Sequence, residues 1–124
     1  MFQLDKGNMA ITMHRGDTGA FYVNLSRSSG NEFTEDDRMM LKIRSGERVV
    51  MDRYYNLAEE ETENGRVLVA FRNSDTDMLP AGTYNTEIRV AIDPVWLDGE
   101  IVDGSTVRTV VQSTLTIIDV IKEV

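Results

Sequence analysis

Three groups of residues in this chain have types and spacings that could do chemistry. The first is Arg15-Gly16-Asp17, the tripeptide that integrins recognise, within His14–Leu25, which reads HRGDTGAFYVNL. The second is His14, the single histidine. The third is the set of carboxylates Glu35, Asp36, Asp37, Asp75 and Asp77. An integrin ligand needs its tripeptide on a protruding loop. Here His14–Thr18 must reverse the chain between two strand patterns, with Gly16 free to take a positive φ and Asp17 able to bond its own backbone. The expectation is a turn. A catalytic histidine needs a partner acid and a nucleophile, and a zinc site without cysteine usually needs more than one histidine. His14 therefore reads as a strand-end residue. A glycosidase sets two carboxylates across a cleft, but acids in loops are common, and Glu35-Asp36-Asp37 before a strand reads as a solvated turn cap. No phosphate-cradling glycine loop follows a strand, and no Gly-x-Ser-x-Gly elbow occurs. The expectation is no enzyme, no cofactor and no metal.

The elements that must position these residues have a period of two. Phe21, Val23 and Leu25 alternate with Tyr22 and Asn24. Met39, Leu41 and Ile43 alternate with Met40, Lys42 and Arg44. Val67, Val69 and Phe71 follow the same rule, as do Tyr84, Thr86, Ile88, Val90 and Ile92. This is the pattern of strands with one buried face. Turn signals separate the runs: Ser28-Ser29-Gly30-Asn31, Ser45-Gly46, Glu63-Asn64-Gly65, Pro80-Ala81-Gly82 and Asp98-Gly99. The reading is about seven strands, at 9–14, 19–26, 38–44, 47–55, 66–72, 83–93 and 105–119. The last two form an extended hairpin closed by a loop that holds Gly99 and Gly104. The acidic run Leu57–Glu63 reads as a solvated crossover between sheets, and it lacks the spacing of a calcium loop.

The fold class expected is therefore an all-β, immunoglobulin-like antiparallel β-sandwich, a single domain over 1–124. Asp77, Leu79, Gly82 and Tyr84 strengthen this expectation. A tyrosine that opens the sixth strand and returns its hydroxyl to the backbone upstream pins the corner between sheets. Leu79 would plug the corner and Gly82 would make its bend. Thr86 stands where an antibody domain has cysteine, so the domain is not of the antibody type.

Composition narrows the partners. Thirteen basic residues against 21 acidic ones give a net charge of −8, which argues against nucleic acid and against an anionic membrane surface. The absence of cysteine excludes disulfides and thiol chemistry. Met1–Lys6 has no apolar signal core, so the expectation is synthesis in the cytoplasm without export. The single tryptophan, Trp96, lies in an apolar hairpin tip with Val95, Leu97, Ile101 and Val102. Aromatic anchors dominate protein interfaces, so the tip is a candidate interface. Its alternative is to fold back and cap the sandwich. A platform for sugars or bases would want several coplanar aromatics, and 7% aromatic content is not enriched.

Four runs carry a family resemblance: ITMHRGDTGAFYVNL (11–25), TEDDRMMLKIR (34–44), GRVLVAFRNSDTDMLPAGTYNTEIRV (65–90) and VRTVVQSTLTIIDVI (107–121). Together they resemble the amino-terminal domain of phage baseplate upper proteins. The resemblance implies an immunoglobulin-like sandwich, an Arg15-Gly16-Asp17 turn of structural use, and an architectural role. That role would be docking to other phage or prophage tail or baseplate proteins, or self-association, with the virion tail as destination. It implies no catalytic residues. Members of that group continue past this domain, whereas this chain stops at Val124, so an inherited partner does not follow directly. The alternative reading is an immunoglobulin-like adhesion or carbohydrate-binding module.

Overall fold

The computed structural model describes residues 2–27, 30–58 and 64–119, with the backbone alone over 101–106. Eight strands and one short helix form there. They are β1 (Phe2–Asp5), β2 (Ala10–His14), β3 (Gly19–Asn24), β4 (Arg38–Ser45), β5 (Arg48–Asn56), β6 (Arg66–Phe71), α1 (Asn73–Asp77), β7 (Gly82–Leu97) and β8 (Glu100–Ile118). One sheet has the order β1-β2-β8-β7-β4-β5, and the other is the pair β3-β6. The molecule is an all-β sandwich. The pair β3-β6 lies across the core from β4, β7 and β8.

Alternation builds the core. On β4 the residues Met39, Leu41 and Ile43 are buried, facing Val67, Val69 and Phe71 of β6 and Phe21 and Val23 of β3. Met13, Leu115 and Ile117 complete it from β2 and β8. Burial of such side chains contributes about 1.5–3 kcal/mol each, which is the main force holding two sheets together.

Four departures from the sequence reading have physical causes. β1 adds an eighth strand, paired antiparallel with β2 from Phe2↔Met13 to Asp5↔Ala10. The sandwich is not wholly antiparallel, because β2 runs parallel to β8 from Ile11↔Leu115 to His14↔Ile118. Asp75 and Asp77 lie in α1 rather than in a loop. This turn of helix has no apolar period. It forms because the Asp75 carboxylate accepts the Arg72 amide at 2.8 Å, satisfying a donor at the helix start. Leu57, read as part of a solvated crossover, is fully buried in the core. Its amide donates to the Asp37 carbonyl and its carbonyl accepts from Gly65. Residues 59–63 of that run lie outside the described residues.

The hairpin loop is the fifth difference. β7 and β8 stay paired to Leu97↔Glu100, closed by the two residues Asp98 and Gly99 alone. Both have positive φ, 51° and 78°, which is the type I′ geometry that matches strand twist. Gly104 is therefore a strand residue opposite Pro94. β4 accompanies β7 only as far as Arg38↔Ala91. Beyond that point β7 and β8 run on as a two-stranded arm.

Candidate functional site

The sequence motifs fall in three places. Arg15-Gly16-Asp17 forms a turn between β2 and β3, with the Asp17 amide donating to the His14 carbonyl at 3.1 Å. Gly16 has φ +86°, at the position a type II turn reserves for glycine. The turn is bound to the corner segment. Arg15 Nε donates to the Asp77 carbonyl at 2.9 Å, and the buried Thr76 hydroxyl donates to the Asp17 carbonyl at 2.8 Å. His14 ends β2, half-exposed, 3.8 Å from the Asp17 carboxylate. These contacts fasten the tripeptide to the fold.

The corner itself holds Leu79 buried and Tyr84 buried, with the Tyr84 hydroxyl donating to the Pro80 carbonyl at 2.5 Å. Gly82 opens β7 and Asp77 ends α1. Tyr84→Phe is expected to cost about 0.5–1.5 kcal/mol, the net contribution of the part-buried hydrogen bond that pins the corner. A denaturant midpoint equal to that of the wild type would show the bond to be idle.

The carboxylates do not converge on a cleft. Among the described residues no three His, Asp or Glu side chains come together to hold a metal. Asp75 binds Arg53 at 2.7 Å, joining α1 to β5. Burial pushes its carboxyl up, but the Arg72 amide and the Arg53 guanidinium more than offset this, so it titrates below the ordinary range. Asp37 differs most from its reading as a solvated cap. It is fully buried. One oxygen accepts the Thr34 amide at 2.8 Å and the other accepts the Asp93 amide at 3.0 Å, with the Arg27 guanidinium 4.0 Å away. Asp93 has φ +50° and stands where the arm leaves the sheet. A buried carboxylate therefore fixes the arm's base.

The arm carries the exposed apolar residues. Val95 is 54% exposed, Leu97 59% and Trp96 38%. Of the other tip residues named from the sequence, Ile101 and Val102 have side chains outside the described set. Trp96 does not cap the end of the core. Its ring lies 5.5 Å from the Tyr54 ring, tilted by 60°, with the Arg38 guanidinium 5.9 Å from its centroid. Tyr54 pairs with Met40, and Arg38 with Ala91, on the sheet face opposite the core. Met40 and Ala91 are buried yet stand apart from the main core. The outer face thus has a small apolar cluster of its own, rimmed by Arg38 and by Arg89, the cross-strand neighbour of Met40. The Tyr54 hydroxyl stays neutral, pushed up by burial and then by the charges of Asp52 and Glu100.

No protein-family model and no curated protein matches the chain.

The chemistry available at this patch is association. Trp, Tyr and Arg are the residue types that most often carry interface energy, and here they meet on one surface. Periodicity placed Met40 outward with Lys42 and Arg44. Nothing in the local pattern marked it as buried, because its cover comes from residues distant in sequence.

Proposed function

We propose that this chain is a non-enzymatic docking module that binds another protein through the arm and the outer sheet face beside it. The observation that carries the reading is the exposed row Val95-Trp96-Leu97, on an arm fixed at its base by a buried carboxylate. Asp37 and Asp75, two of the carboxylates that might have served catalysis, are committed to structural bonds, which supports a non-enzymatic role. The partner proposed is another component of a phage or prophage tail or baseplate. That part rests on the resemblance of the quoted runs.

The test is binding to tail proteins encoded beside this chain's own gene. Trp96→Ala and Leu97→Ser are expected to weaken capture by roughly tenfold or more. Unchanged affinity in both would remove the arm from the interface. A second reading, an adhesion or carbohydrate-binding module, has one observation in its favour. A polar trough of about 400 Å³ lies on the same outer face, lined by Lys42, Arg44, Asn85, Glu87 and Gln112 among others. Saturable calorimetric binding of soluble oligosaccharides, weakened by Lys42→Ala and without any tail-protein binding, would favour it.

A further inference from the structure

A sheet edge with unpaired amides and carbonyls is open to another strand unless something spoils it. Most edges among the described residues are spoiled. β1, β3 and β6 are short, at 4, 6 and 6 residues. β5 points Arg53 back across the sandwich, where it binds Asp75 and also covers the Ala70 carbonyl of β6 at 2.6 Å. The β7 side of the arm carries Pro94, just after the positive-φ kink at Asp93.

β8 is different. β2 covers it only from Leu115 to Ile118. From Val107 to Thr114 its side away from β7 faces no strand among the described residues. That stretch reads Val-Arg-Thr-Val-Val-Gln-Ser-Thr. It is rich in β-branched residues and contains no proline and no acid, in a chain of net charge −8. Val110 is 45% exposed. It is also the extra residue of a bulge, since Ile88 pairs with Val111 and Arg89 with Thr109.

We infer that this edge pairs with the same edge of a second copy of the chain, antiparallel about a two-fold axis. The start of β2 at one end limits the overlap to 107–114. Two-fold pairing over that window brings the Val110–Val111 segments of the two copies together at the axis and runs Arg108 of each towards Ser113 of the other. No like charges face each other there. An acidic strand from elsewhere would find only Arg108 to meet it, whereas a second copy brings a strand of the same β-branched character. The two-fold also closes, so pairing stops at two and leaves no unpaired β8 edge over 107–114. This inference stands apart from the arm, which remains free for another partner.

Light scattering on the eluting protein from about 10 µM to about 1 mM spans the affinities such an interface would have. The expected result is a mass that rises towards twice the 14.0 kDa of the chain. Amide exchange at 107–114 should slow in step with it. Val110→Lys sets two ammonium groups beside the axis and is expected to hold the protein at the single-chain mass with unchanged circular dichroism. Thr109→Lys serves the same purpose if Val110→Lys does not fold. A single-chain mass at every concentration would overturn the inference. So would a dimer that survives both lysines, and one that Trp96→Ala abolishes while the lysines do not would assign self-association to the arm instead.

Discussion

Asp37→Ala is expected to destabilise the protein by about 3 kcal/mol, lowering its melting temperature by roughly 10 °C. The substitution removes acceptors from two backbone amides, those of Thr34 and Asp93, and leaves the Arg27 guanidinium without its nearest buried counter-charge. Unmade bonds of this kind cost the full desolvation of the orphaned groups. Asp37→Asn should do little better. It keeps one acceptor but turns an NH2 group towards the other amide and deletes the charge. Calorimetry on the two variants checks this, and a near-native Asp37→Asn would mean that the second oxygen and the charge contribute nothing. The loss should also be local. Amide exchange at Asp93 and along the arm should quicken before the centre of β4 responds, because Asp37 is what ties the kink to the Thr34–Asp37 turn.

Gly65→Ala is expected to cost about 4 kcal/mol, from backbone strain and overpacking together. Gly65 has φ +82°, a conformation that costs a residue with a Cβ on its own account. A Cβ there would also stand 2.8 Å from Cε2 of the Phe33 ring, and closer still to the Leu25 carbonyl oxygen, which is backbone and cannot rotate away. Gly65 is the knot of three segments. Its amide donates to Leu57 and its carbonyl accepts from Leu25, each at 2.9 Å. Gly46→Ala is the matched control. Its φ is also positive, at 61°, but nothing lies within 4 Å of the added carbon. It should cost about 1 kcal/mol, the conformational part alone. The gap between the two variants, read from denaturant midpoints, measures the collision. Equal losses would show that the three segments yield to make room.

The parts of the fold legible in the sequence are those that depend on neighbours two residues away. Met39, Leu41 and Ile43, or Val67, Val69 and Phe71, declare a buried face by alternation alone. Tyr84 and Leu79 could be read because a corner constrains a fixed spacing. The parts not legible depend on residues far apart. Phe2-Gln3-Leu4-Asp5 is too short to show a period, and becomes β1 only because β2 lies beside it. Asp37 shares its sequence context with the exposed Glu35 and Asp36. It is distinguished only by two amides that converge on it, one from a residue far along the chain. Trp96 was visible as an anchor, but its resting place against Tyr54 and Arg38 follows from where β4 stops pairing with β7. No run of residues encodes that stopping point by itself.

The parallel pairing of β2 with β8 has a consequence for the order of folding. Both hairpins, β4–β5 and β7–β8, can close as soon as their own residues exist, since each joins strands adjacent in sequence. β2 cannot be placed until β8 is present, and β1 cannot be placed until β2 is. The strands of this domain made first are thus among the last to be seated. Contacts with so long a reach in sequence slow folding, because the loop entropy is spent before they form. While Ile11 and Met13 wait, they are apolar and uncovered. The interval between synthesis of β2 and arrival of β8 is when this chain is most exposed to misassembly.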